Sequence, residues 1–133
     1  MNDFLQDYGP FVGRILLAAI FVISGFGKLM DPAGTAGYIA SKGLPLAQVG
    51  AWVAIIIELL GGLMLAVGFR ARLAAFAIFA FTVVATVVFH PWWADPGQKI
   101  QFLKNVAILG GLLYVMAHGA GKLAVDKEKE LSL

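Results

Sequence analysis

Apolar residues gather in four long stretches, at 11–30, 46–68, 73–89 and 102–118, separated by segments rich in Gly, Pro and charge. A helix needs about 20 mostly apolar residues to cross a bilayer. The first two stretches reach that length. Loop residues extend the other two to spans of about 73–93 and 101–118. No alternation of period two runs through them, which excludes a barrel, and backbone in lipid must then be satisfied within helices. The pattern predicts an all-α polytopic membrane protein: one transmembrane domain over residues 1–133, built as a four-helix bundle.

The connections sharpen this picture. Gly68-Phe69-Arg70-Ala71-Arg72 is a tight turn, so the second and third spans are antiparallel neighbours. Asp31 followed by Pro32 reads as an N-cap with Pro at the first helical position, and Gly43 and Pro45 close the segment. A short interfacial helix at about 32–42 fits between the first two spans. Pro91-Trp92-Trp93 is an aromatic interface anchor, and Asp95-Pro96-Gly97 makes the next turn. Residues 122–133 mix Lys with Asp and Glu and read as a solvated tail.

Composition agrees. Hydrophobic residues make up 60% of the chain, charged residues 14%, and mean hydropathy is +0.85. Soluble domains carry about 25% charged residues, so too few polar groups are present to cover a soluble surface. The net charge of +2 with this apolar content excludes disorder. The basic residues are scattered, which argues against nucleic acid. There is no cysteine, so thiol redox chemistry and thiolate metal sites are excluded. Asp3 and Asp7, with no early Lys or Arg, have the wrong sign for a signal peptide, and Met1 reads as the mature start. Outside the spans, Arg70, Arg72, Lys122, Lys127 and Lys129 lie on one side against Lys42 and Lys99 on the other. That balance puts both termini in the cytoplasm.

Each span carries one polar or small face. Arg14, Ala18, Phe21, Gly25 and Lys28 form a stripe on the first, and Gly50, Ala54, Glu58, Gly62 and Ala66 on the second. The third has Thr82, Thr86 and His90. The fourth has Lys104, Ala107, Gly111, Tyr114 and His118, with Asn105 beside the first of these. Glu58 lies about 18 Å along its span, near mid-bilayer, where a carboxyl must be paired, hydrogen-bonded or protonated. Lys28 is its most reachable partner and Arg14 the alternative. Glu58, Lys28, Arg14, His90, Lys104, Asn105 and Thr86 therefore compose a polar core, a cavity opening outward with a carboxyl at its floor. Plainer roles compete: Lys28 and Lys104 can snorkel to head groups, and His90 and His118 can sit at the interface. The two His lie at opposite faces, so no metal is expected. Gly25-Phe26-Gly27-Lys28-Leu29 and Gly119-Ala120-Gly121-Lys122-Leu123 repeat a fragment of a phosphate loop. Without the full spacing they carry no nucleotide site.

Across residues 13–126 the chain resembles the DoxX family of small four-helix membrane proteins. The matching pieces are Gly13-Arg14, Ser24-Gly25, Lys28-Leu29, Glu58 with Gly61-Gly62, Gly68-Phe69 with Arg72, Phe89-His90, and Lys104-Asn105 ahead of Gly110-Gly111. The resemblance implies a bacterial plasma-membrane protein tied to membrane-associated redox chemistry or stress defence, since the family is named for a subunit of quinone-linked sulfur-compound oxidation. Three function classes stay open. The first is an accessory subunit binding a quinone or other small ligand beside a redox-protein partner. The second is a stand-alone quinone-linked oxidoreductase acting on thiosulfate or a similar substrate, and the third a scaffold without ligand. The first is favoured because nothing in the sequence binds a redox centre strongly. No tightly held cofactor is expected, and a quinone is the candidate loosely held one. Ala71, Ala75, Ala77 and Ala80 leave a homo-oligomer contact open beside packing within the bundle.

Overall fold

The computed structural model describes residues 2–126. Five helices occupy them: α1 (Asn2–Met30), α2 (Pro32–Ser41), α3 (Ala47–Val67), α4 (Ala71–Phe89) and α5 (Lys99–His118). Four of these, all but α2, are long and apolar enough to cross a membrane, and no strand occurs among the described residues. The chain is thus an all-α, multi-pass membrane protein. Large apolar side chains such as Leu16, Ile23 and Val84 point outward, as they must where the surroundings are lipid.

Helix ends are set by local chemistry. The Asp31 carboxylate accepts from the Gly34 N–H at 2.9 Å, and Pro32 fills the first helical position, so α2 starts where the sequence places it. α3 ends at Gly68, whose φ of +78° suits glycine, with its N–H donating to the Leu65 carbonyl and the Phe69 N–H reaching back to Met64. A Cβ at Gly68 would overlap the Arg14 guanidinium. α1 starts well before the expected residue 11. Its first turns carry Phe4 and Tyr8 at i,i+4, with ring centroids 4.9 Å apart, and Pro10 lies inside the helix. The third span ends at Phe89, and Trp92 and Trp93 pack edge-on against Phe102 beyond it.

α1 packs most extensively along α3, α4 packs on both α3 and α5, and α5 touches α1 only sparsely. The bundle is therefore open along one seam. Its core joins Ala18, Phe21, Leu65, Ala74, Ala75, Ile78 and Leu112. Small residues let the helices close. A Cβ at Gly25 would lie 2.6 Å from Leu59 N, and one at Gly62 would lie 2.9 Å from Val22 Cγ2. Ala71 and Ala75 pack fully inside the bundle, and Ala80 is exposed.

α3 is not uniformly α-helical. Residues Ile56–Gly61 form a π turn that starts two residues before Glu58. Such single insertions add one residue to a turn and recur at functional sites. Here the extra residue lets both Gly61 and Gly62 be buried, the first against Ile78 of α4 and the second against Val22 of α1.

The segment after α5, the start of the expected solvated tail, is largely exposed but tied down through its backbone. The Val125 N–H donates to the Val67 carbonyl, the Asp126 N–H to the Gly68 carbonyl, and the Asp126 carboxylate accepts from the Arg70 N–H at 2.5 Å. These bonds satisfy groups left open where α3 ends, which holds residues 119–126 against the α3–α4 turn. Lys122 does remain solvated, in an exposed ion pair with Asp7 at 3.0 Å. The rest of that tail, 127–133, lies outside the described residues.

Candidate functional site

Glu58 is buried at 6% exposure, and its Oε1 sits 2.7 Å from Lys28 Nζ. Lys28 also donates to Ser24 Oγ at 2.7 Å, one turn back on α1. The close approach at Gly25 and the π turn around Glu58 bring these two helix faces together. A carboxylate at this depth is costly unless compensated, and the ammonium supplies the compensation.

The pair forms one wall of a cavity of about 420 Å³ bounded by all five helices. Opposite it, α4 and α5 present a polar ladder. Asn105 Nδ2 donates to Thr86 Oγ1 at 2.9 Å, Thr86 donates to the Thr82 carbonyl at 2.6 Å, and Gln101 Nε2 donates to Asn105 Oδ1 at 3.1 Å. At the mouth, His90 Nδ1 meets Gln98 Oε1 at 2.7 Å, and Tyr38 of α2 stacks on Phe89 with centroids 5.3 Å apart. Thr82 lines the cavity, and its hydroxyl is buried with no hydrogen-bond partner among the described residues. Leaving a buried hydroxyl unpaired costs about 1–3 kcal/mol.

Of the sequence-derived site residues, Glu58, Lys28, His90 and Asn105 line this cavity, and Thr86 supports Asn105 from behind. Two do not join them. Lys104 is exposed, because the inward face of α5 runs through Gln101, Asn105, Ile108 and Leu112, one position round from the stripe of Lys104, Ala107, Gly111, Tyr114 and His118. One residue on a helix is a rotation of about 100°, enough to turn a side chain from cavity to lipid. Arg14 is buried at the termini end, where it donates to the Leu123 carbonyl at 2.5 Å and lies over the Phe11 ring. It clamps the chain end and takes no part in the Glu58 pair. Ser24, Gln101 and Gln98 complete the site unforeseen. The i,i+4 pair of Gln101 and Asn105 on one apolar helix was the signal available for α5.

The DoxX family model matches residues 9–91. The Escherichia coli (strain K12) protein named inner membrane protein YqjF is 33% identical over 123 residues, covering 92% of this chain and 93% of that protein. Inner membrane protein YphA of the same organism is 32% identical, over 87% of this chain and 86% of its own. The chain belongs to the DoxX family, and with its four apolar helices it is an integral membrane member of it. A more distant likeness, 26% identity, links it to the ER-derived vesicles protein ERV29 of Saccharomyces cerevisiae, covering 98% of this chain and 36% of that longer one. No solved structure matches.

Proposed function

We propose that the chain is a ligand-binding accessory subunit of the bacterial plasma membrane, holding a quinone-class head group in the Lys28–Glu58 cavity beside a redox-protein partner. The observation that carries this is a cavity of head-group size with an ammonium, a carboxylate and an unpartnered buried hydroxyl on its walls. Ligand pockets combine mostly apolar walls with a few convergent polar groups, as here. Quinone carbonyl oxygens accept hydrogen bonds, and Lys28, Thr82 and the Gln101–Asn105 amides can donate them. The chain contributes binding and orientation, and the partner contributes the electron chemistry, since there is no cysteine for thiol redox work. The inner-membrane relatives support the location, and the five-to-two balance of Lys and Arg supports cytoplasmic termini.

The test is recovery from native membranes in mild detergent, with organic extraction and mass spectrometry of the purified protein. A quinone should accompany wild type near one per chain and be lost from Glu58→Gln, which keeps the shape and hydrogen bonding of the carboxylate and whose thermal midpoint should fall less than that of Glu58→Leu. Wild-type protein that carries no quinone would overturn the reading.

A further inference from the structure

A second, larger cavity of about 750 Å³ lies along the open seam between α1 and α5. It runs from Pro10 and Gly119 at the termini end up to Ile20 and Ile108, and apart from Arg14, Tyr114 and His118 its lining is apolar. The groove faces the bilayer, as the exposure of Leu16 and Tyr114 shows. Ile20 and Ile108 also line the polar cavity, so these two side chains are the shared wall between the two spaces. Polar groups lie on one side of them and hydrocarbon-lined space on the other.

We infer that the site takes a single-tailed amphiphile, its hydrogen-bond-accepting head at the Lys28 ammonium, which Glu58 holds in place, and its tail passing between Ile20 and Ile108 into the α1–α5 groove. The inference rests on the head-group reading given above and adds the path of the tail. From Ile20 to Pro10 the groove follows α1 for about 15 Å at the helical rise, room for an extended chain of medium length. Gly111 forms part of its floor, and a Cβ there would already lie 3.4 Å from Leu17 Cδ1. Lipid is as apolar as the groove, so seating the tail there brings no hydrophobic gain over the bilayer. The groove instead selects by shape, admitting a tail attached to a head that has entered the polar cavity.

The experiment uses the full chain in nanodiscs with two probes, a tailless methoxy-benzoquinone and its decyl-tailed homologue. Each is corrected for partition into empty nanodiscs. Gly13→Trp, at a position where a Cβ meets nothing within 4 Å, and Gly111→Leu both fill the groove at residues that do not line the polar cavity. Both variants should bind the tailless probe like wild type, which also shows that they fold. Both should bind the decyl probe about tenfold more weakly, as expected for overpacking a filled space. Decyl glucoside, which has the tail without an accepting quinone ring, should not compete. Undiminished binding of the decyl probe by both variants would overturn the tail path while leaving the head site standing, and competition by decyl glucoside would overturn the coupling of the tail to a seated head. Failure of wild type to bind either probe would overturn the head-group reading and this inference with it.

Discussion

Replacing Gly25 by alanine tests the packing that assembles the site. The new Cβ would stand 2.6 Å from Leu59 N and 2.9 Å from Leu59 Cα, where ordinary contact begins at 3.4 Å. Those atoms are backbone, so no rotamer change relieves them. α1 and α3 must part by the better part of an ångström. Lys28 lies one turn beyond Gly25, and Glu58 adjoins Leu59, so the same movement stretches the 2.7 Å ion pair. Overpacking of this kind costs about 1–3 kcal/mol. The helical preference of Ala over Gly returns about 0.5–1 kcal/mol of that. A Cβ at Gly27, two positions on, meets nothing within 4 Å, so Gly27→Ala has only the favourable contribution. Thermal unfolding in one detergent, read by intrinsic fluorescence, should place Gly25→Ala lower than wild type by about 3–8 °C and Gly27→Ala level or slightly higher. Equal midpoints for the two variants would refute the close approach of α1 and α3, and with it the geometry proposed for the site.

Three further outcomes are expected. Arg14→Met removes a charge-assisted bond to the Leu123 carbonyl, so stability should fall by about 1.5–3 kcal/mol, and limited proteolysis should begin to cut within residues 119–126. Thr82→Val deletes a buried hydroxyl that has no partner among the described residues, so the protein should be at least as stable as wild type while its affinity for a benzoquinone probe drops about tenfold. A reporter fused after Leu133 should be active only in its cytoplasmic form, and activity of a periplasm-specific reporter there would reverse the topology.

How far the sequence reaches depends on what each residue's neighbours are. The buried faces of α1, α3 and α4 were legible because Ala18, Gly25, Ala54, Glu58, Gly62, Thr82 and Thr86 are small or polar in apolar helices, and their three- and four-residue spacing can describe only one face. α5 was misread because Lys104, Tyr114 and His118 repeat at helical spacing too. Their long amphipathic side chains suit the bilayer interface as well as a core, and the true inward face holds Ile108 and Leu112, which look like lipid-facing residues. Arg14 falls on the correct stripe, yet its partner is a backbone carbonyl 109 positions away, reached only because the chain turns back after α5. The π turn leaves no mark in composition. It can be inferred only once Gly61 and Gly62 are both seen to be buried against different helices.

The central claim is that the Lys28–Glu58 pair serves a ligand and is more than a fastener between α1 and α3. Exchanging the two charges, Lys28→Glu with Glu58→Lys, separates these roles. Removing one partner, as in Glu58→Leu, leaves the half-buried Lys28 ammonium without its carboxylate, and the exchange restores an ion pair across the same helices. A fastener works with either polarity, whereas a head group oriented by an ammonium at one fixed point of the cavity does not. The measurement is the quinone content of the exchanged protein purified from native membranes, taken alongside its thermal midpoint. The account predicts a midpoint recovered most of the way from Glu58→Leu toward wild type and no quinone retained. An exchanged protein that keeps the wild-type complement of quinone would contradict it.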